Sequence, residues 1–389
     1  MKYIIEYCKK YKDVIIYGAG KIGKQLGKDI LSKGINLNCY VVSSKNGQAE
    51  EVNGVKVECI EEIEINNNTG IILGAVSSKA GQMEEKIKTL GRTDYLILKQ
   101  EYIDGIVRPM VRPKVEITTE IGCKVNCKYC PQKLLISKYF KFDKKRTKRM
   151  SFETFKMCLD KVPQNTSIYF AGMVEPFQNP ECMEMIRYTI SKEGYVVAIL
   201  TTAVGVTEAM AFELVKMPIE EFVLHVPDED EYAKIPLTEE YWKVVSILLD
   251  AKKPNGENFI DSCSCQGHPL KAFMELNNGR VRVESFLHDR AGHLENEDNK
   301  LASCTERLNG EIYCCFSKKL DNNILLPDGT MVLCCMDYGL EYPIGNLCEM
   351  SYEDILGGGA LSNIRKALLD DRIDVLCRNC TYAVEYSKE

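Results

Sequence analysis

Two rhythms of apolar positions alternate along this chain. Asp13-Val-Ile-Ile-Tyr17 is a continuous apolar run, the pattern of a strand buried on both faces. Gly18-Ala-Gly20-Lys-Ile-Gly23 follows, and then Ile22, Leu26, Ile30 and Leu31 recur at helical spacing as far as Gly34. Runs at 37–42, 70–76 and 94–98 predict further strands, and 80–90 predicts a helix. The first 105 residues therefore read as a βαβ-type domain of ordinary size. The stretch 103–113 carries two prolines and no period, and reads as a linker.

From 115 the alternation resumes. Strands are predicted at 115–121, 166–170, 195–202 and 221–226, with 272–276 and 281–285 as candidates for later ones. The last two bracket Asn277-Asn-Gly279, a turn signal. The stretch 150–162 predicts a helix with Ser151 as N-cap and Glu153 in its first turn. Repeated strand–helix units predict a parallel α/β barrel over 112–300, with its site at the C-terminal strand ends. Beyond 301 the chain changes character. Pro327-Asp-Gly329 between apolar runs predicts a hairpin, and helices are expected near 352–355 and 362–369.

Composition narrows the setting. A net charge of −6 gives no global attraction to nucleic acid or anionic membrane. No apolar run approaches the length of a membrane span, and the first ten residues lack a signal-peptide core. The expectation is a cytoplasmic protein with no nucleic-acid partner, in which 18 cysteines serve as thiols and metal ligands rather than disulfides.

The chemistry concentrates in Cys123-Lys-Val-Asn-Cys127-Lys-Tyr-Cys130-Pro131, at the end of the strand predicted over 115–121. Three thiolates on one short loop hold three irons of a [4Fe–4S] cube and leave the fourth iron open, whereas ferredoxin-type cubes take four cysteines. Zinc prefers paired knuckles and a closed four-ligand shell. In the N-terminal domain, Gly18, Gly20 and Gly23 have the spacing and the strand–helix context that bring a backbone close to a phosphate. The end of the next strand offers Ser43, Ser44 and Lys45 where dinucleotide sites place an acid. That argues against NAD, and leaves a docking module or a holder of a nucleotide-linked substrate. His225, near a strand end, is a candidate acid/base or substrate ligand. The basic stretch 138–149 reads as a solvated loop or as a contact for a phosphate-bearing substrate.

The C-x3-C-x2-C loop, with Tyr129 before its last cysteine, resembles the signature of the radical S-adenosylmethionine (SAM) family. Ala171-Gly172-Met-Val-Glu175-Pro176 resembles the family's GGE-P segment, with Gly172, Glu175 and Pro176 matching. Thr201-Thr202-Ala203 resembles its TTNG strand end, with alanine for asparagine. Asp289-Arg290-Ala-Gly292-His-Leu294 resembles the segment that follows the last barrel strand in members with auxiliary clusters. From Cys315, the pattern C-x13-G-x4-C with Cys334, and then Cys377-Arg-Asn-Cys380, resembles the twitch half of a SPASM domain. Cys314 fits in place of Cys315 by a one-residue shift.

The resemblance implies an α/β chain of three parts. These are a Rossmann-like domain over 1–105, of the type attached to polysaccharide and nucleotide-sugar enzymes, a partial (β/α)6 barrel over 112–300, and a twitch domain of hairpin plus helix over 301–389. It implies a SAM-binding [4Fe–4S] cluster on Cys123, Cys127 and Cys130, and one auxiliary [4Fe–4S] cluster on Cys315, Cys334, Cys377 and Cys380, for which zinc is the alternative. Tyr129, Gly172, Glu175, Pro176, Thr201 and Thr202 would line the SAM site, where the two threonines face a ligand or cap the next helix. Arg290 would serve the substrate, and His225, from its strand-end position alone, is a further candidate or a hydrogen-bonded structural histidine. The implied activity is reductive cleavage of SAM and hydrogen-atom abstraction from a small molecule, fed by a flavodoxin- or ferredoxin-type electron donor. The layout resembles that of 2-deoxy-scyllo-inosamine dehydrogenases, which points to oxidation or epimerisation of a carbohydrate or nucleotide-linked sugar. Epimerisation would need a thiol to return hydrogen, with Cys263 and Cys265 as unassigned candidates. The alternatives are a radical maturase of peptides or proteins, and a non-catalytic electron carrier or assembly factor.

Overall fold

The computed structural model describes residues 2–45, 48–63, 65–66, 68–75, 77–99, 102–103, 112–141, 146–285, 290–294 and 307–386, with the side chains of 2, 77–82 and 285 left aside. Most of the linker expected at 103–113, part of the basic stretch and Asp289 lie outside these residues. The chain divides into two compact units, Met1–Val111 and Arg112–Glu389.

The first unit is a six-stranded sheet. Its strands are β1 (Asp13–Tyr17), β2 (Leu37–Val42), β3 (Glu51–Val52), β4 (Val55–Cys59), β5 (Thr69–Leu73) and β6 (Tyr95–Ile97). Their order is β3-β4-β2-β1-β5-β6, with β1 parallel to both β2 and β5. The central place of β1 explains its unbroken apolar run, because Val14 to Tyr17 pack on both faces. The β3–β4 hairpin is absent from the elements read off the sequence. Its signal is Asn53-Gly54, both at positive φ (54° and 73°), the two-residue turn that matches strand twist.

In the second unit, six parallel strands follow one another in sequence order. They are β7 (Lys114–Ile117), β8 (Ser167–Phe170), β9 (Val196–Thr201), β10 (Ile219–His225), β11 (Ser262–Cys265) and β12 (Val283–Ser285). Helices between them, among them Phe152–Leu159, Cys182–Ser191 and Glu239–Asp250, pack apolar stripes on the sheet. Ser151 caps the first of these, accepting from Thr154 N at 3.1 Å, as expected.

The strand expected at 272–276 is instead the helix Lys271–Asn277. Phe273 and Asn277, four apart, point inward, and Asn278 (φ 44°) and Gly279 (φ 71°) end the helix in left-handed conformations rather than turning a hairpin. The strand skipped by the sequence reading is β11, whose Ser-Cys-Ser-Cys carries little apolar signal.

The C-terminal segment begins with β13 (Ile312–Cys314). It continues with β14 (Asn322–Leu325), β15 (Thr330–Val332) and β16 (Pro343–Asn346), and ends with β17 (Ala383–Glu385). The expected hairpin is β14–β15, and β14 lies parallel to β7, so the hairpin continues the central sheet. Strands β13 and β17 pair antiparallel. The expected helices are Tyr352–Gly357 and Gly359–Leu369.

Candidate functional site

Strand β7 runs through Thr118 and Thr119, both fully buried, into the cysteine loop. Glu120 fastens the entry, accepting from Arg149 Nε at 2.8 Å. Cys123, Cys127 and Cys130 all open on one cavity of about 360 Å3. Gln132, passed over in the sequence reading, closes the loop end to end. Its Oε1 accepts from Cys123 N at 3.1 Å, and its Nε2 donates to Met173 O at 2.6 Å and lies 3.4 Å from Cys130 Sγ. Gln178 adds a second clasp, accepting from Lys124 N and donating to Gly122 O. Burial pushes the Cys127 thiol up to about 12, an effect partly offset by Tyr129. A bound metal would displace such a proton outright.

The C-terminal thiols line the same cavity. Cys314 ends β13, Cys334 follows β15, Cys377 lies in the short 3-10 turn Leu376–Asn379, and Cys380 caps that turn. That turn is held by Arg378, a fully buried guanidinium whose donors are spent on the carbonyls of Leu308, Gly310, Ala367 and Ile373. Of the alternatives Cys314 and Cys315, it is Cys314 that stands on the cavity wall. Cys315 donates its backbone N–H to Tyr382 O at 2.9 Å. Cys335 also lines the cavity, whereas Cys263 and Cys265, on β11, are buried in the core. Among the described residues, no three His, Cys, Asp or Glu side chains close on a single metal-ion centre. Two sets of thiols on one cavity are the donor type that iron–sulfur cubes take.

Between the thiols lies a polar wall. Glu175 is buried, yet its carboxylate accepts from Phe177 N, Thr201 Oγ1, Thr202 N and Thr202 Oγ1 at 3.3, 2.6, 2.7 and 2.6 Å. Burial raises its pKa and these four donors oppose the rise. A carboxylate has about four acceptor positions, so the chain itself fills them. Thr201 and Thr202 therefore brace Glu175, and the cap of the following helix is Thr207. Gly172 has φ 62°, and a Cβ there would lie 2.5 Å from Thr118 Oγ1, so the backbone can pass only as glycine. Pro176 opens the short turn Pro176–Gln178, and buried Tyr129 lines the cavity beside Cys127.

His225, at the end of β10, faces the cavity with Ser264 Oγ 2.5 Å from its Nδ1. Burial, and secondarily Arg290, lowers its pKa to about 4, so the imidazole is neutral at physiological pH. Arg290 sits in the left-handed turn Arg290–Gly292. Its guanidinium stands near Cys130, Cys335 and Tyr338 and stacks 5.8 Å from the Tyr338 ring. Among the described residues, the Nε of Arg290, Oε1 of Gln266 and Oδ1 of Asn322 are buried and have no hydrogen-bond partner, and all three residues line the cavity.

In the first unit, Gly18 and Gly23 are packing glycines. A Cβ on Gly23 would lie 1.8 Å from Gly18 O, and one on Gly18 2.8 Å from Gly74 O. Gly20, at the N-terminus of the helix Lys21–Ser32, has open space before it. Ser43 Oγ is engaged by Tyr17 Oη at 2.6 Å, and Lys45 pairs with Glu58 and Glu62.

Residues 314–381 match the SPASM family, described as an iron–sulfur cluster-binding domain. The chain carries that domain there, as its C-terminal cysteine pattern implies. Among solved structures the chain is similar to BtrN in complex with AdoMet and 2-DOIA, at 18% identity and a TM-score of 0.47, covering 70% of this chain and 93% of that one. It is similar to anSMEcpe with bound AdoMet at 14% identity and a TM-score of 0.42, covering 69% and 86%. It is similar to Streptococcus suis SuiB bound to precursor peptide SuiA at 12% identity and a TM-score of 0.39, covering 78% and 83%. No curated protein matches. Among the described residues, no helix is long and apolar enough to cross a membrane.

Proposed function

We propose that this chain is a radical SAM enzyme with one auxiliary cluster, oxidising or epimerising a hydroxyl-rich small molecule of the carbohydrate class. The observation that carries the reading is that the three-cysteine loop and the SPASM thiols open on one cavity. Cys123, Cys127 and Cys130 hold the first [4Fe–4S] cluster. Cys314, Cys334, Cys377 and Cys380 hold the auxiliary one. With SAM at the first cluster and an electron from a flavodoxin- or ferredoxin-type donor, the site would supply radical hydrogen-atom abstraction from an unactivated C–H bond. The protein's share is to bind, orient and exclude water.

The segment from Gly172 to Pro176, braced by Thr201 and Thr202, forms the wall against which SAM rests. The unsatisfied Arg290 Nε, Gln266 Oε1 and Asn322 Oδ1, with neutral His225, offer both donors and acceptors in a buried space. Such groups cost free energy until a ligand satisfies them, and a polyhydroxylated ring has the complementary groups. The βαβ unit at the N-terminus favours a nucleotide-linked form of that ring.

The test is anaerobic reconstitution of the wild type and of the Cys123/Cys127/Cys130→Ala triple variant. About eight irons in the wild type and about four in the variant are expected for two cubes. 5′-Deoxyadenosine should come from the wild type alone, and its release should rise with a sugar alcohol or nucleotide sugar. A fully loaded wild type that releases no deoxyadenosine would overturn the reading.

A further inference from the structure

The turn that follows Cys334 reaches across the cavity to the other set of thiols. Tyr338 Oη lies 3.4 Å from Cys130 Sγ, a contact between residues 208 positions apart. The turn that carries it is tightly fixed. Asp337, fully buried, accepts from Glu341 N and Tyr342 N at 2.9 Å each, and its own N–H donates to Cys334 O at 3.1 Å. His293 Nδ1 lies 2.9 Å from Met336 O, and Arg290 stacks on the Tyr338 ring. Three residues therefore separate the Cys334 thiol of the SPASM domain from a hydroxyl placed on a thiol of the Cys123–Cys130 loop.

We infer that Tyr338 tunes the cluster on Cys123, Cys127 and Cys130 through a hydrogen bond to the Cys130 sulfur. This rests on the reading that those three thiols hold a cluster. A thiolate bound to iron has no proton to give, so the phenol is the donor of the pair. A donor on a cluster sulfur draws electron density and stabilises the more negative, reduced state, raising the reduction potential. Gln132 Nε2, 3.4 Å from the same sulfur, acts in the same direction. It opens the helix Gln132–Tyr139 that directly follows the cysteine loop, whereas Tyr338 belongs to the SPASM segment. Tyr338 is thus a positioning residue that makes the ease of reducing the first cluster depend on the SPASM segment being folded against the cysteine loop.

The experiment is a potentiometric titration, followed by electron paramagnetic resonance, of the fully loaded wild type and of Tyr338→Phe. The change keeps the ring and removes only the hydroxyl. The expected result is a negative shift of the SAM-site cluster, up to about tenfold in the equilibrium constant for reduction, or about 59 mV for one electron. The auxiliary cluster should move little. Resonance Raman spectra of the Fe–S stretching modes in D2O give a second readout, with an isotope shift in the wild type that shrinks in Tyr338→Phe to what the remaining Gln132 donor leaves. Unchanged potentials and spectra in a variant with full iron content would overturn the inference while leaving the proposed function standing. Iron content unaffected by the Cys123/Cys127/Cys130→Ala change would overturn both.

Discussion

Thr202 holds Glu175 twice through one carboxylate oxygen, with its backbone N at 2.7 Å and its Oγ1 at 2.6 Å from Oε2. Thr201 and Phe177 take the other oxygen. The carboxylate thereby ties the loop after β8 to the end of β9. In Glu175→Gln one oxygen becomes an NH2 group that faces N–H and O–H donors. The variant should be less stable by about 1–3 kcal/mol, the cost of unsatisfied buried groups. Thermal unfolding of the two proteins checks this, and an unchanged midpoint would mean that the brace carries no load.

Gly172 admits no side chain. In Gly172→Ala, φ 62° is strained for alanine, and the new Cβ meets Thr118 Oγ1 at 2.5 Å and Thr118 N at 3.0 Å. The expected loss is about 2 kcal/mol or more from backbone strain together with overpacking. Denaturant titration measures it. A loss no larger than that of Gly20→Ala, where the Cβ position is open, would contradict the packing argument.

Cys314 and Cys315 differ by one residue and point differently. Cys314→Ala should lose the auxiliary cluster, about four irons, and Cys315→Ala should keep it. Iron and sulfide counts on the reconstituted variants decide. The reverse pattern would reinstate Cys315, the residue that the sequence spacing favoured.

His225 gives the fold a pH dependence of defined sign. Its folded pKa is lowered to about 4, first by burial and then by Arg290. An unfolded histidine titrates near 6.5. Between these values the unfolded chain holds a proton that the folded chain does not, so stability rises with pH. The contribution is complete above the unfolded value and is lost as pH falls toward about 4. Wild type should lose about 2 kcal/mol more than His225→Gln between about pH 7 and about pH 5. Equal losses in urea titrations of the two proteins would place the imidazole in contact with water.

Much of the architecture was legible because local rules and tertiary needs agree. The apolar run of β1, the recurring strand–helix units from 115 and the Pro327-Asp-Gly329 hairpin each carry their signal within a few residues. Reading failed where that signal is thin. Strand β11 is made of serine and cysteine, and its partners on either side, rather than its own propensity, make it a strand. The segment 272–276 has apolar residues at both helical and strand spacing. The buried pair Phe273 and Asn277 settles it as helix.

The sequence alone determined where the thiols lie and how they are spaced. A C-x3-C-x2-C loop fixes three ligands within one turn of chain, and the SPASM pattern fixes the rest to within one residue. Tertiary structure decided what those thiols face. Only folding brings Cys130 and Tyr338 together across 208 positions. It also turns Cys314 rather than Cys315 toward the cavity and fills Glu175 with the chain's own donors. The physical reason is range. Spacing along the chain constrains groups a few bonds apart, whereas the direction of a side chain at a distant contact is set by the packing of every element between.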